Sequence, residues 1–373
     1  MNSLKLLFLM ITISMILLGC TNQKILERTS LTILLGYDLA EDDRITTTTA
    51  IRQINPDLES NVEIQSATEV TSRGALIKIE QKTSKKIGSG QLRVVLFGEE
   101  LAKAGVADNI HSLKMNPEIS NGIYLAVVEG NSNSLIEGNY KNITDIGQHI
   151  FQLIEHNIEQ NHLLSSTLHE INRENLSKLG DYSLPMLKKQ GEDVEISGIA
   201  FFNEDKMMGS LPVEDIIYIK MIRNNMQNGS LELALPTKTF ELASDNSSEE
   251  IKIVVDSIKS KRKNKLVDKT VPEFDLTINL ESRLLEVPSG LSIEGIESTE
   301  NLEKGINSKI ESEINRIIRY SQEINSDIFQ FGERYKAQVR KANIDLEKWH
   351  EMYPQMKVNV KVNTKIVRDG VFQ

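Results

Sequence analysis

The chain contains a single cysteine, at position 20, and that fact removes two of the ways in which a protein of this size can be held together. Without a second thiol there is no intramolecular disulfide framework, and no zinc site can be built from cysteines. Stability must come from buried apolar surface, and 373 residues exceed what one compact core usually organises, so two or three domains are expected. The position of the cysteine is as informative as its solitude. It follows a short start carrying Lys5, an apolar run from Leu6 through Leu18, and the small residue Gly19. This is a secretory signal in form, and the run falls short of the ~20 residues that a membrane-crossing helix takes. Leu17-Leu18-Gly19-Cys20 matches a lipobox, so cleavage between Gly19 and Cys20 is expected, with S-diacylglyceryl and N-acyl groups on Cys20. Two acyl chains meet the two-signal condition for a stable anchor, at ~0.8 kcal/mol per buried CH₂. Thr21 to Lys24 then reads as a polar spacer leading to a water-soluble body, since no later stretch approaches transmembrane length.

Lys and Arg number 43 against 53 Asp and Glu, a formal net charge of -10. That balance excludes broad, non-specific nucleic-acid binding, which needs a basic face to displace counterions. Hydrophobic residues at 39% and charged residues at 26% are the proportions of a globular body.

Thr32 to Leu39 and Ile45 to Ile54 suggest a hairpin around Glu41-Asp42-Asp43. Val62 to Ser66, Gln91 to Gly98 and Ile123 to Glu129 read as strands, with helices over 67–85, 99–110 and 143–178. Gly180 to Glu195, with Pro185, Gly191 and several charges, reads as a linker before a strand pair at 196–202 and 207–211. Ile251 to Ile258 alternates as a strand, and the basic run Lys259 to Lys265 reads as a solvated turn, with contact to anionic headgroups as the sharper reading. Leu276, Ile278 and Leu280 alternate as a half-buried strand does. Thr299 is placed as the N-cap of a helix running to about Asn325, whose apolar stripe is Leu302, Ile306, Ile310, Ile314, Ile317 and Ile324. A shorter helix is expected around Arg334 to Met352, then a strand over Met356 to Val367 with Val358, Val360, Val362 and Ile366 on one face.

The fold expected is α+β: three mixed α/β domains, with antiparallel or mixed sheets packed against helices, after the cleaved lipoprotein signal peptide. The boundaries are a signal peptide at 1–19, an N-terminal α/β domain at 20–195, a small middle domain at 196–272 and a C-terminal α+β domain at 273–373. Four of the six histidines, His149, His156, His162 and His169, fall in one helical stretch. Pairs seven residues apart are ~10 Å apart along a helix axis, too far for one ion, so solvated positions are expected and no metal. No Walker A, G-x-G-x-x-G, G-x-S-x-G or H-E-x-x-H pattern occurs. No catalytic residue, metal or cofactor is therefore assigned, and an enzymatic role is not expected.

Several segments, in order and at compatible spacing from residue 17 to about 370, resemble the Ger(x)C lipoproteins, the C subunits of nutrient germinant receptors in endospore-forming bacteria. They are the lipobox, Ile54-Asn55-Pro56, and Leu92 to Phe97 followed by Gly98-Glu99-Glu100-Leu101-Ala102. Next come Gly198-Ile199-Ala200-Phe201-Phe202 with Asp205-Lys206-Met207-Met208-Gly209, and Asp327-Ile328-Phe329-Gln330-Phe331-Gly332 with Trp349, Pro354 and the Val358-Val360-Val362 strand. The family usually has Gly where this chain has Gln330. The resemblance implies a three-domain α+β fold and a non-catalytic role in nutrient-triggered spore germination. It implies assembly with the integral membrane A and B subunits of the receptor, and a lipid-anchored place on the outer face of the spore inner membrane. Asp327, Phe329, Phe331, Gly332 and Trp349 are read as a helix terminus, core packing and a turn rather than ligand contacts. The alternative is an extracytoplasmic solute-binding lipoprotein of a transporter. Such proteins usually have doubly wound lobes and aromatic-lined clefts, which aromatic residues at 5% and one-sided C-terminal strands argue against.

Overall fold

The computed structural model describes residues 29–52, 62–83, 86–177, 179–236, 250–287, 296–339 and 344–367. The expected signal peptide at 1–19, Cys20 and Ile54-Asn55-Pro56 lie outside the described residues. The architecture is α+β, with two mixed sheets packed against ten α-helices among the described residues.

The first sheet has nine strands. β1 (Thr29–Leu39) turns through Glu41–Asp43 into β2 (Ile45–Arg52), and β3 (Val62–Glu69) pairs with β2, all antiparallel. The helix expected over 67–85 is shorter: β3 runs through Glu69, and α1 (Ser72–Glu80) starts after the Thr71 cap, whose hydroxyl accepts the Gly74 N–H at 3.0 Å. β4 (Lys86–Gly88) and β5 (Val94–Gly98) both lie parallel to β1, and β6 (Tyr124–Val128) lies parallel to β5. β5 is buried at every position because helices cover both faces. On one face Val94 and Leu96 share a core with Leu135 and Ile136 of α4 (Ser132–Ile136) and Ile150 and Ile154 of α5 (Ile146–Glu159). On the other, Val95 and Phe97 join Leu101 of α2 (Glu99–Ala104), Ile110 of α3 (Ala107–Met115) and Ile171 of α6 (Leu168–Ser177).

The segment read as a linker is instead β7 (Ser183–Gln190), parallel to β6. Its buried start, Ser183 to Leu187, is short and contains a proline, so it lacked both alternation and length as a sequence signal. β8 (Asp193–Asn203) and β9 (Lys206–Pro212) continue the sheet antiparallel. The expected boundary at 195/196 thus falls inside β8, and the hairpin extends the first sheet. α7 (Ile216–Arg223) follows.

The second sheet runs β10 (Leu231–Pro236), β11 (Glu250–Asp268), β12 (Glu273–Glu286) and β13 (Lys357–Ile366), in that order. The basic run Lys259 to Lys265 is part of β11, not a turn. Its inward residues Ser260, Arg262 and Asn264 are polar, which hid the two-residue period from a reading by hydrophobicity. α8 (Ile296–Glu323) connects β12 to β13, which are parallel. Leu302, Ile306, Ile310, Ile314 and Ile317 are buried as the periodicity predicts, in one cluster with Phe274, Leu276 and Ile278 of β12. Thr299 is not the N-cap, because the helix already begins at Ile296. Three α8 side chains also reach the free edge of β13: Glu311, Asn307 and Glu303 accept the N–H groups of Val362, Thr364 and Ile366 at 2.7, 2.7 and 2.8 Å. The helix thereby occupies edge donors that would otherwise template another strand. The expected helix around 334–352 is two, α9 (Phe331–Gln338) and α10 (Leu346–Met352). One apolar cluster runs from Leu96 and Phe201 of the first sheet through α7 and α8 to the second sheet and Trp349.

Candidate functional site

The most specific sequence motif, Asp327 to Gly332, folds into the seam between the two sheets. α8 ends at Glu323, and the chain turns through Asn325 and Gln330, both left-handed with φ of 50° and 62°. Glycine enters this conformation without steric cost, which gives a physical reason for its use at the Gln330 position. Gly332 has no room for a side chain: a Cβ there would lie 2.2 Å from the Leu179 carbonyl oxygen and 2.7 Å from Trp349 Nε1. That close approach brings 326–332 against 179–182, the segment between α6 and β7.

Two buried aspartates lock the approach. Asp327 is fully enclosed, and its carboxylate accepts N–H groups from Phe331 at 3.1 Å, Gly332 at 2.8 Å and Trp349 Nε1 at 2.9 Å. Its backbone N–H donates to Asp181 Oδ2 at 2.8 Å, while the Asp181 N–H donates to the Asp327 carbonyl at 3.0 Å. Asp181 also accepts the Glu204 N–H at 3.1 Å and sits 3.1 Å from His350 Nε2 on α10. Ser326 Oγ donates to the Phe202 carbonyl of β8, and the Ser321 and Tyr353 hydroxyls pair at 2.6 Å. Burial raises the Asp327 carboxyl to about 7, against the lowering effect of its three donors. For His350 burial disfavours the charged ring, but the hydrogen bond and charge of Asp181 outweigh it, so its pKa lies above the ordinary value.

Carboxylates and a histidine in contact could suggest acid–base chemistry. The geometry favours a clamp: Asp327 has no solvent access, and its oxygens are taken up by the polypeptide itself, leaving no place for a reacting atom. Beside the clamp lies a cavity of about 510 Å³, lined by Asp108, His111, Lys114, Tyr182, Glu204 and Asp205 among others. Tyr182 is buried, stacked on Phe202 with centroids 4.7 Å apart, and its hydroxyl has no hydrogen-bond partner among the described residues. A second buried ion pair, Glu174 with Arg223, braces α6 against α7, and Gln330 Nε2 donates to Glu174 at 3.0 Å. Burial raises the Glu174 carboxyl despite Arg223.

The structure unites Asp327, Phe331, Gly332 and Trp349 at this seam, and Phe329 and Phe331 pack edge to face at 6.1 Å. Trp349 is fully buried between Tyr335 and Tyr353. His149 and His156 lie on α5, His162 in the turn beyond it, and His169 on α6. No grouping of His, Cys, Asp and Glu fit for a metal occurs among the described residues. Asp181 and His350 were invisible to sequence reasoning, since one sits in an apparent linker and the other is a lone histidine on a short helix. Lys220 was also missed: buried on α7, it donates to the Leu163 carbonyl at 2.9 Å, and burial lowers its pKa to about 8.

Comparison with known proteins finds a family match for each half of the chain. A family described as spore germination protein N-terminal domain matches residues 22–189, and one described as spore germination B3/GerAC like, C-terminal, matches residues 197–370. The chain belongs to the GerAC-like spore germination proteins. The spore germination protein GerQC of Bacillus cereus is 25% identical over 364 residues, 97% of this chain and 98% of the relative. YfkR of Bacillus subtilis (strain 168) is 21% identical over 319 residues, covering 83% of this chain and 79% of the relative. The crystal structure of the GerBC protein shares the fold of this germination protein, with a TM-score of 0.56 at 15% identity, over 90% of this chain and 97% of that one. No helix among the described residues is long and apolar enough to cross a membrane.

Proposed function

We propose that this germination protein is the lipid-anchored, non-catalytic C subunit of a nutrient germinant receptor, held on the outer face of the spore inner membrane through Cys20 and assembled with integral membrane A and B subunits. The observation that carries the reading is the collinear match to GerAC-like proteins over nearly the whole chain, with a lone cysteine at the end of a lipobox. The enclosed aspartate clamp supports a binding and assembly role, because its polar groups are spent on holding segments together. The acidic net charge agrees with a role that involves no nucleic acid.

The test is germination of spores carrying an in-frame deletion, across nutrients and with a receptor-independent trigger. Loss of response to particular nutrients, with the receptor-independent response intact, is expected. Full response to every nutrient, persisting when paralogues are also deleted, would sink the reading. Replacing Cys20 by Ala tests the anchor separately, and a variant that stays membrane-bound and active would make lipidation dispensable.

A further inference from the structure

The open face of the second sheet carries a charge opposite to that of the whole molecule. The chain is acidic by ten charges, yet Lys259, Lys261, Lys263 and Lys265 of β11 and Lys361 and Lys365 of β13 are all exposed on this one face. The register sets them in four rows across β12: Lys259–Glu281–Lys365, Lys261–Asn279–Asn363, Lys263–Thr277–Lys361 and Lys265–Asp275–Asn359. Six lysines thus face two carboxylates, and one of these, Asp275, already accepts the Asn359 side-chain amide at 2.9 Å. Among the described residues, none of the six lysines forms an ion pair. At 3.3 Å per residue and ~4.8 Å between strands, the rows make a plate about 20 Å long and 10 Å wide.

We propose that this lysine plate docks the body of the protein onto an anionic lipid surface. The inference rests on the proposed Cys20 anchor, which would hold the plate within reach of headgroups and make the second contact intramolecular. The chemistry of the plate favours lipid over protein. Its four rows contain no aromatic or large apolar residue, and protein interfaces are depleted in lysine and enriched in aromatic residues and arginine. Lysines on flexible stems act as hydrated point charges, suited to a fluid layer of anionic headgroups rather than one fixed carboxylate. The alternate residues of the same strands turn inward, so the lysine side is the face left to solvent.

The experiment uses the full lipidated chain in vesicles of phosphatidylcholine alone or mixed with phosphatidylglycerol. Lysines are acetylated with a succinimidyl ester, and the rates are read peptide by peptide by mass spectrometry. Phosphatidylglycerol should slow labelling of Lys261, Lys263 and Lys361 several-fold relative to phosphatidylcholine, high salt should abolish that protection, and exposed Lys206 on the first sheet should label alike throughout. The triple variant Lys261→Glu, Lys263→Glu, Lys361→Glu should lose protection at Lys259 and Lys265 while unfolding at the wild-type denaturant concentration. Equal labelling on the two vesicle types would overturn the proposal, as would protection that appears only in membranes containing other spore proteins, which would point to an acidic protein partner. Failure of the anchor is a separate result: the chain would then not float with phosphatidylcholine vesicles, while flotation with phosphatidylglycerol vesicles alone would still support the plate.

Discussion

In the nine-stranded sheet β5 is buried at all five positions, whereas in the four-stranded sheet β12 buries every second residue and turns the others to solvent. The difference follows from connectivity. The parallel strands β1, β5, β6 and β7 are joined through helices that cover both faces, so each residue meets a core. The second sheet has one long helix, α8, on one side and the lysine plate on the other. The centre of the first sheet is therefore an interior and the second sheet is a wall. The Asp327 clamp joins them, with one side on 179–204 and the other on 326–350.

The largest effect should come from breaking that joint. Asp327→Ala leaves the Phe331 N–H, the Gly332 N–H and Trp349 Nε1 buried without an acceptor, at an expected cost of about 3–5 kcal/mol. Urea unfolding measures the loss, and hydrogen exchange should show protection falling in 179–204 and in 326–353 together. If only one side loosened, the clamp would belong to one sheet and not to the joint.

Next come substitutions that test interior against wall. Leu96→Ala and Phe97→Ala, on opposite faces of β5, should each cost about 2–5 kcal/mol. In β12 the adjacent pair should split: Phe274→Ala costs a similar amount, while Asp275→Ala stays within about 0.5 kcal/mol. Equal costs for Phe274 and Asp275 in a denaturant series would erase the distinction between the sheets.

A smaller effect is a pH dependence centred on the clamp. Asp327 titrates near 7 in the fold against an ordinary 3.8, so the folded state prefers it protonated and stability falls as pH rises between those values. His350, held above 6.5 by Asp181, adds stability below that value which is lost as pH rises through its folded pKa. Both act in the same direction, so the urea midpoint should drop from about pH 5 to pH 8. His350→Gln should flatten the upper part of that decline; an unchanged slope would assign the decline to other groups. The smallest effect is at the plate, where Lys261→Gln or Lys361→Gln should change stability by less than about 0.5 kcal/mol.

Much of the fold was legible in the residues because periodicity reports burial directly. The stripe from Leu302 to Ile317 and the alternation in β12 and β13 repeat at the periods of a helix and a one-sided strand. Where inward positions are polar, as at Ser260, Arg262 and Asn264, or where a strand is short and holds a proline, as at Ser183 to Leu187, the same reading produced a turn and a linker. Of the clamp, Asp327, Gly332 and Trp349 stood out as a motif, while Asp181 and His350 did not.

The sequence by itself determined the lone Cys20 behind its apolar run, the apolar faces of the long elements and the acid balance of the whole, because each is written in consecutive or periodic residues. Only the tertiary structure decided that Asp181 meets Asp327 and His350, and that lysines on β11 and β13 share one plate. Those pairs lie about 90 to 170 residues apart in the chain, and no local pattern encodes a contact that depends on how distant strands and helices register.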